Sequence, residues 1–437
     1  DICFSTLKRF IDFITTDYID DGNTDQTLYN FHPQLRVLLT FNGIFFNKNS
    51  NSKWRFLWPV LSVAVSMVAT GFEMMFIYHG IDIKDYAFAT ENFVYFMIIS
   101  TIPIVYTCVL YNVDKIKAIL KEMNKDFLEV CKLGTRYRVS FLTGQLLIRK
   151  LCLAWFIFVL IVEAVFILTT LALLMYQTLF ATQDEHLVRP LIFPMWLPED
   201  DPFRTPNYEI FLLIQIIMCF IVVTTFCVYV YVFFHILLHY YSMMEMIILD
   251  FGVIFDGVDE GVVDLDPKHE DRKAAQSILN GRMRRIAKWH LSVLKSVETI
   301  SSVYGPPLVY QVGFSSIAIC LIMYAFSTKL DEGKFHVPFA MLLSAIIAQL
   351  WIPCYLGTLI RNKAFSVGDA CFYCGWQDNR LGRLLRMDII MVILRAQQPV
   401  TIKFTGLPDV QLETFSSVCE RRYFEQNICM EICTYVY

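Results

Sequence analysis

Cys371 and Cys374 are the residues whose types and spacing come closest to a reactive site. They form a C-x-x-C pair with aromatic neighbours in the stretch GDACFYCGW. Such a pair could be half of a structural zinc site or a dithiol redox centre. Zinc needs four ligands, however, and neither a second C-x-x-C nor a His pair stands nearby. On a helix, a spacing of three places both thiols on one face. We therefore favour an ordinary helical turn, with no metal and no cofactor.

Long apolar segments are the elements that must position this pair. The 437 residues are 56% hydrophobic and 18% charged, whereas a soluble domain carries about 25% charged residues. Apolar residues are gathered into runs long enough to cross a hydrocarbon core of roughly 30 Å as helices. The six strong runs are 56–78, 93–111, 151–176, 210–238, 303–327 and 337–360. With a weaker, charged seventh run at 412–435, the sequence predicts an all-α membrane protein of seven transmembrane helices.

The distribution of Lys and Arg predicts the orientation of these helices. Segment 112–150 carries nine basic residues and segment 239–302 carries eight, whereas each of the three intervening loops carries at most two. Basic residues resist translocation, so the rich segments are expected in the cytoplasm. The amino terminus is then cytoplasmic and the carboxyl terminus lies outside, an inverted topology relative to G-protein-coupled receptors. The net charge of -4 gives no indication of a nucleic-acid partner.

The basic segments also predict helices that continue below the membrane. In KIKAILKEMNKDFLEVCKL, apolar residues recur at spacings near three and four, and GRMRRIAKWHLSVLKSVETISSVY behaves similarly. Each could be a solvated helix packed against its neighbours or a contact between subunits. The acidic stretch DGVDEGVVDLDPKHED contains glycines and Pro267 and is expected to be a flexible cytoplasmic loop. It lacks the spacing of a calcium-binding loop.

The stretch RPLIFPMWLPEDDPFRTPNYEI is the most informative external segment. Its five prolines prevent a continuous helix. Phe193, Met195 and Trp196 nevertheless place apolar surface where water is expected. The segment could fold over the mouth of the bundle as a cap, or its aromatic residues could anchor it at the level of the lipid headgroups.

The stretch AQLWIPCYLGTLIRNKAFSVGDACFYCGW resembles the carboxyl-terminal signature of insect odorant receptors. The matching positions are Cys354, Tyr355, Gly357, Ser366, Ala370, Phe372 and Trp376, with Phe372 in place of the usual Tyr. A further R-x-Q-x-P motif of the family is similar to Arg395, Gln397 and Pro399. The family pattern also resembles this sequence at His290 and at FPMWLPEDD. The C-x-x-C pair is thus interpreted as part of the family architecture.

This resemblance implies an odorant-gated, non-selective cation channel in the plasma membrane of a sensory neuron. The chain would bind a small volatile and form a heterotetramer with the odorant co-receptor among membrane lipids, without a G protein. Its modest segment 240–302 resembles a ligand-specific subunit, because the co-receptor carries a long insertion there. Residues 1–360 would form the bundle with its pocket, 361–411 a cytoplasmic anchor, and 412–437 a pore-lining helix.

The resemblance places the pocket in the outer half of spans two to six. The residues selected there are Phe93, Phe96, Phe166, Thr169, Thr170, Tyr176, Phe211, Gln215 and Met323. If Tyr423 and Phe424 match the family's aromatic pair, Glu425 and Gln426 lie near the narrow point of the pore. The charges of the last helix suit a water-filled path, but they could also be solvated on a helix that barely enters the bilayer.

Three other classes of protein compete with this interpretation. A G-protein-coupled receptor would have the opposite orientation, and the chain lacks the acidic-Arg-aromatic triplet and N-P-x-x-Y motifs. An intramembrane enzyme or a transporter is disfavoured, because the sequence contains no H-E-x-x-H motif, no paired membrane aspartates and no obvious inverted repeat. A gustatory receptor of the same superfamily would share the topology but act as a homotetramer, and it is the nearest alternative.

Overall fold

The computed structural model describes most of the chain. The described residues are 22–41, 43, 56–180, 189–197, 202–331, 333, 336–398, 400–402, 411–413 and 416. All regular secondary structure within these ranges is helical. The prediction of an all-α membrane protein is confirmed over this part of the chain.

Within the described residues, six helices are long and apolar enough to cross a membrane. They are α3 (Leu57–Asp82), α4 (Tyr86–Tyr111), α6 (Thr135–Phe180), α7 (Asn207–Gly252), α8 (Glu270–Asp331) and α9 (Val337–Phe372). The shorter helices are α1 (Leu28–Phe31), α2 (Pro33–Phe41), α5 (Val113–Cys131) and α10 (Gly382–Ala396), with a 3-10 helix at Glu260–Asp264. Each of the six predicted spans falls in one long helix to within a residue, and α6, α7, α8 and α9 extend well beyond their spans.

Helix α7 forms the centre of the bundle. Every residue from 227 to 240 is buried, and the helix contacts α6, α8 and α9 along its length. A helix that is apolar on all sides lies in a protein core or spans a membrane, and the burial of residues 227–240 shows that this stretch is surrounded by protein. The residues that surround the remaining cavities are therefore held against a fixed central helix.

Helix α5 confirms the amphipathic pattern read from the sequence. Its apolar stripe is buried against α1, α6, α7 and α8. The buried members of this stripe are Ile116, Ile119, Leu120, Met123, Phe127 and Val130. Together with α10, which packs on α9 and α8, this helix closes the end of the bundle opposite residues 189–197. We call this end the anchor end.

A chain of polar side chains crosses the interior of the anchor end. The Gln145 amide nitrogen lies 3.1 Å from His239 Nδ1, its oxygen lies 3.2 Å from His32 Nε2, and His239 Nε2 lies 3.3 Å from Asp126 Oδ2. An amide nitrogen can only donate, so His239 accepts at Nδ1 and its Nε2–H donates to Asp126. Burial lowers the pKa of His32 to about 3 and raises the pKa of Asp126.

Two arginines of α8 bind the end of α7 and the residues that follow it at the anchor end. Arg285 donates to both carboxylate oxygens of Asp250, at 2.7 and 2.6 Å, and Tyr137 donates to the same carboxylate. Arg282 donates to the carbonyl oxygens of residues 253, 254 and 256, at 3.0, 2.8 and 2.8 Å. These bonds hold the residues after α7 and the first residue of the acidic segment against α8. The acidic segment, expected to be a flexible loop, contains the 3-10 helix, which also contacts α8.

A tight turn brings α3 and α4 together at the end that carries residues 189–197. Lys84 adopts a φ of 60° in this turn. A Cβ atom on Gly80 would lie 3.0 Å from the Cβ of Ala89, a distance that leaves no room for a larger side chain. This close approach places the carboxyl-bearing residues Glu73 and Glu91 on facing helices.

Candidate ligand-binding site

The C-x-x-C pair lies at the end of α9, where it joins α9 to α10. Cys371 is fully buried, and its thiol lies 3.7 Å from the carbonyl oxygen of Ile389 in α10. The Cys374 thiol lies 3.2 Å from the carbonyl oxygen of Cys371. Burial raises the pKa of Cys371 to about 12 and also raises that of Cys374. Because thiolates are the form that binds metals and exchanges disulfides, this burial opposes both chemistries.

The metal chemistry finds no further support in the structure. Among the described residues, no group of three or more His, Cys, Asp or Glu side chains is placed to hold a metal ion. The contacts of Cys371 instead join two helices of the anchor end.

Residues 189–197 fold onto the end of the bundle and are fastened there by Gln215 of α7. The Gln215 carbonyl oxygen accepts hydrogen bonds from the amide groups of Ile192 and Phe193, at 2.8 and 3.2 Å. Its amide nitrogen donates to the Phe193 carbonyl oxygen at 2.9 Å. The Tyr208 hydroxyl adds a bond of 2.9 Å to the carbonyl oxygen of Pro190. Backbone groups that water would otherwise solvate are thus satisfied inside the bundle.

Aromatic contacts complete this cap. The ring of Phe193 meets the ring of Tyr95 in α4 edge to face, with centroids 4.7 Å apart. The ring of Trp196 stacks on His79 at the end of α3, with centroids 3.7 Å apart. Of the two interpretations left open by the sequence, the structure favours a segment folded over the bundle.

Two neighbouring cavities beneath and beside this cap share the residues Tyr95, Phe166 and Phe193. One has a volume of about 290 Å³ and the other of about 50 Å³. We call the two together the Phe166 cavity. Helix α6 contributes Val162, Phe166 and Thr170, and α9 contributes Leu342 and Pro338. The smaller part is lined mostly by apolar side chains, whereas the larger part also has polar ones, among them Glu91, Thr169, Arg189 and His336. Small-molecule sites combine an apolar lining with a few polar groups in this way.

A separate cavity of about 420 Å³ lies on the other side of Phe193, between α3, α4 and α7. We call it the Glu73 cavity. Val65, Glu73 and Phe76 of α3 line it, opposite Phe211 and Gln215 of α7. Phe193 borders both cavities, so the cap residue that Gln215 fastens divides the space under the cap.

The structure distributes the residues predicted to bind ligand over three places. Phe166, Thr169 and Thr170 line the Phe166 cavity, and Phe211 and Gln215 line the Glu73 cavity. The rest line neither cavity: they are Phe93, Phe96, Tyr176 and Met323. Phe93 and Phe96 stack on each other with centroids 5.9 Å apart, and Tyr176 is 64% exposed on the surface of α6. Whether any of the nine contacts a ligand stays a prediction.

Two of the predicted polar residues already have partners in the chain. The Thr170 hydroxyl donates to the Phe166 carbonyl oxygen at 3.1 Å within α6. Both ends of the Gln215 side chain are bound to the cap. The Thr170 hydroxyl has therefore used its donor but can still accept a hydrogen bond from a ligand, and Gln215 shapes the site through Phe193.

Sequence reasoning missed Tyr95 and three carboxyl groups near it. Glu91 and Tyr95 line the Phe166 cavity, Glu163 lines its smaller part, and Glu73 lines the adjacent cavity. A signal was available, because an ionisable residue inside an apolar span is costly and often marks a site. The predicted pore residues Glu425 and Gln426 lie outside the described residues.

These features define a multi-helix membrane protein with a capped cavity between its helices. The chain belongs to the 7tm odorant receptor family, whose family model matches residues 85–423. The family and the helical fold predicted from the sequence are therefore confirmed.

Individual relatives are distant in sequence. The chain is 21% identical to Odorant receptor 82a of Drosophila melanogaster over 238 residues, which are 54% of this chain and 56% of that receptor. It is 27% identical to the Odorant receptor coreceptor of Anopheles gambiae over 130 residues, or 30% of this chain and 27% of the co-receptor. The first of these matches spans little more than half the length of the relative.

Solved structures show the same fold over nearly the whole chain. The insect olfactory receptor OR5 from Machilis hrabei superposes with a TM-score of 0.69, and its complex with eugenol with a TM-score of 0.73. Both comparisons cover 96% of this chain and 100% of the other at 15% identity. At that identity, the likeness is evidence for the fold.

Proposed function

We propose that this chain is the ligand-binding subunit of an odorant-gated cation channel. A small, largely apolar volatile binds in the Phe166 cavity and favours the open arrangement of the channel by binding it more tightly than the closed one. The observation that carries this proposal is the capped cavity, lined by the rings of Tyr95, Phe166 and Phe193, in a chain whose family match covers residues 85–423. The neighbour solved with eugenol supports a ligand of that size and polarity.

The orientation proposed from the basic residues agrees with the position of this cavity. With the anchor end in the cytoplasm, the cap formed by residues 189–197 faces outward, where a volatile arrives. The chain is then a multi-pass protein of the plasma membrane of a sensory neuron. Protease-accessible tags at each terminus of intact cells would test this orientation, and an accessible amino terminus would contradict it.

The assembly is proposed to be a heterotetramer with the odorant co-receptor. The similarity to a co-receptor chain supports a related subunit, and α5 and α10 provide packed helices at the anchor end for contacts between subunits. In this proposal residues 1–360 form the bundle and pocket, 361–411 the anchor, and 412–437 the pore-lining helix. Glu425 and Gln426 would then lie beside the ion path.

The experiment that tests the proposal is a recording of currents in cells that express this chain with an odorant co-receptor. A panel of volatiles should include at least one that opens a cation current in cells with both chains. Cells with either chain alone serve as controls. Absence of any response from paired chains that reach the cell surface would contradict the proposal.

A gustatory receptor is the second candidate, because it would share the helical architecture and the capped cavity. It would act as a homotetramer that responds to sugars or bitter compounds. The same experiment separates the two functions: ligand-evoked currents from this chain alone would favour the gustatory receptor. The match to the odorant receptor family supports the first candidate.

A further inference from the structure

The Glu73 cavity lies outside the proposed odorant site, and its lining is almost entirely apolar. Its volume of about 420 Å³ falls in the range of small-molecule sites, roughly 300–1,000 Å³. Phe193 and Met195 of the cap contribute to its lining at one end. Val68 and Phe72 line it and are also 61% and 46% exposed on the outer face of α3. The cavity can therefore be entered from the surrounding lipid.

Glu73 is the ionisable group of this lining. The residue is 5% exposed, and its Oε2 atom has no hydrogen-bond partner among the residues that the structure describes. A carboxyl group in the middle of a membrane-spanning helix is costly unless it meets a partner or water. Glu73 lies four positions after Ala69 and so on the same face of α3. Both residues border an apolar space that is large enough for a ligand.

The neighbours of Glu73 favour a cation as that partner. The lining contains no Lys or Arg residue. Its other polar side chain, Gln215, is already bound to the backbone of residues 192 and 193. The carboxyl group of Glu91 on the facing helix is close enough to interact electrostatically with Glu73. Glu91 lines the Phe166 cavity and not this one, so Glu73 is the acidic group of this lining, and its carboxylate attracts positive charge.

We propose that the Glu73 cavity is a second ligand site that binds an aliphatic amine. The ammonium group pairs with the Glu73 carboxylate, and the alkyl chain lies against Val65, Val68 and Phe72. A charge-assisted hydrogen bond in a lipid-facing, water-poor cavity is stronger than a neutral one. Phe193 borders this cavity and the Phe166 cavity, so an amine bound here contacts the residue that also limits the odorant site.

The rival occupant is the acyl chain of a membrane lipid. It would fill the same apolar space without a hydrogen-bond donor and would leave Glu73 unpaired. A matched series of hexylamine, hexanol and hexane separates the two, because only the amine carries a positive charge. This comparison requires a binding measurement that does not depend on channel opening.

The test is photolabelling of the full chain, expressed with the co-receptor, by an alkylamine that carries a diazirine. Labelled peptides should map to α3 between residues 64 and 76 or to α7 between 211 and 218. Hexylamine should compete with the label, whereas hexane should compete at least about tenfold less well. Glu73→Gln, which preserves the shape of the side chain, and Glu73→Leu should each reduce labelling by a similar factor.

Two further variants control for the shape of the cavity. Ala69→Phe fills it and should abolish labelling, whereas Met67→Phe, at an exposed position that does not line it, should leave labelling unchanged. Labelling confined to the α6 side of Phe193, equal competition by hexane, or full labelling of both Glu73 variants would overturn the proposal. Because the readout is covalent labelling, these outcomes are independent of whether a volatile opens the channel.

Discussion

Gln215 and Phe193 are joined by hydrogen bonds in both directions, the Phe193 amide donating at 3.2 Å and its carbonyl oxygen accepting at 2.9 Å. The side chain of the central helix thus takes the place that a neighbouring strand or water would take for the cap backbone. Phe193 in turn lies between the Phe166 cavity and the Glu73 cavity. One amide side chain therefore sets the position of the wall between two candidate sites.

Substitution Gln215→Leu should weaken the response to volatile ligands through this wall. It leaves the buried polar groups of residues 192 and 193 without partners, at a cost of about 1–3 kcal/mol. The half-maximal concentration of an activating volatile should rise about tenfold in current recordings. The control is Leu213→Ala, because Leu213 is exposed and lies two residues before Gln215 in α7. An unchanged response of Gln215→Leu would show that the cap does not shape the ligand site.

Thr169 and Thr170 should differ although they are adjacent in α6. The Thr170 hydroxyl is bound to the Phe166 carbonyl oxygen, so Thr170→Val should change the half-maximal concentration by less than about twofold. Thr169 also lines the Phe166 cavity, and Thr169→Val should raise that concentration about fivefold for a ligand with a hydroxyl group, as the loss of one hydrogen bond of about 1 kcal/mol implies. The reverse order of effects would contradict this assignment.

Acidification should destabilise the anchor end through His32. The folded protein holds this residue neutral, since burial lowers its pKa from 6.5 to about 3. The unfolded chain binds a proton as the pH falls below 6.5, which favours unfolding. Between that pH and about pH 5, the free energy of unfolding should fall by about 2 kcal/mol from this group.

His32→Gln is the matched variant for this prediction, because it can keep a hydrogen bond to Gln145 but cannot be protonated. The nearby groups His235, His239, Arg149 and Asp126 are the same in both proteins, so their contributions cancel in the difference. Thermal unfolding of the purified assembly at both pH values measures the effect. An equal loss of stability in the two proteins would rule out His32 as the cause.

Loss of the Arg285 side chain should destabilise the protein more than loss of its neighbour. Arg285→Gln removes the ionic partner of the buried Asp250 carboxylate. Because the Arg285 side chain is 31% exposed, the expected cost is about 1–3 kcal/mol, below that of a fully buried pair. Arg284 is exposed and next in the chain, so Arg284→Gln should change the melting temperature little. Equal effects of the two substitutions on thermal unfolding would indicate that the bond to Asp250 adds no stability.

The sequence predicted the spans because hydropathy and length alone decide whether a segment can cross a bilayer. It also predicted the buried stripe of α5, since apolar residues at helical spacing indicate which face is packed. It could not predict how far α6 and α7 extend, because polar residues continue a helix without changing its pattern. The positions of the helix ends depend on contacts such as those of Tyr137 and Arg285, which are distant in the chain.

The candidate site was harder to predict than the fold. Phe166, Thr169 and Thr170 line a cavity, and whether they bind a ligand stays a prediction. Tyr176 lies roughly 9 Å further along α6 than Thr170 and is exposed, because the orientation of a helix about its axis depends on its neighbours. Phe193 borders both cavities because the Gln215 side chain, 22 residues away, binds its backbone. No local sequence pattern reveals such a contact.

The most direct test of the central claim is a concentration–response measurement with Val162→Phe in cells that also express the co-receptor. Val162 is buried and lines the Phe166 cavity, so the larger side chain should occupy space that the volatile needs. The account predicts a loss of the response, or a rise of at least about tenfold in the half-maximal concentration. Ile161→Phe, at the adjacent exposed position, should respond as the unmodified chain does. A normal response from Val162→Phe, expressed at the same surface level, would contradict the account.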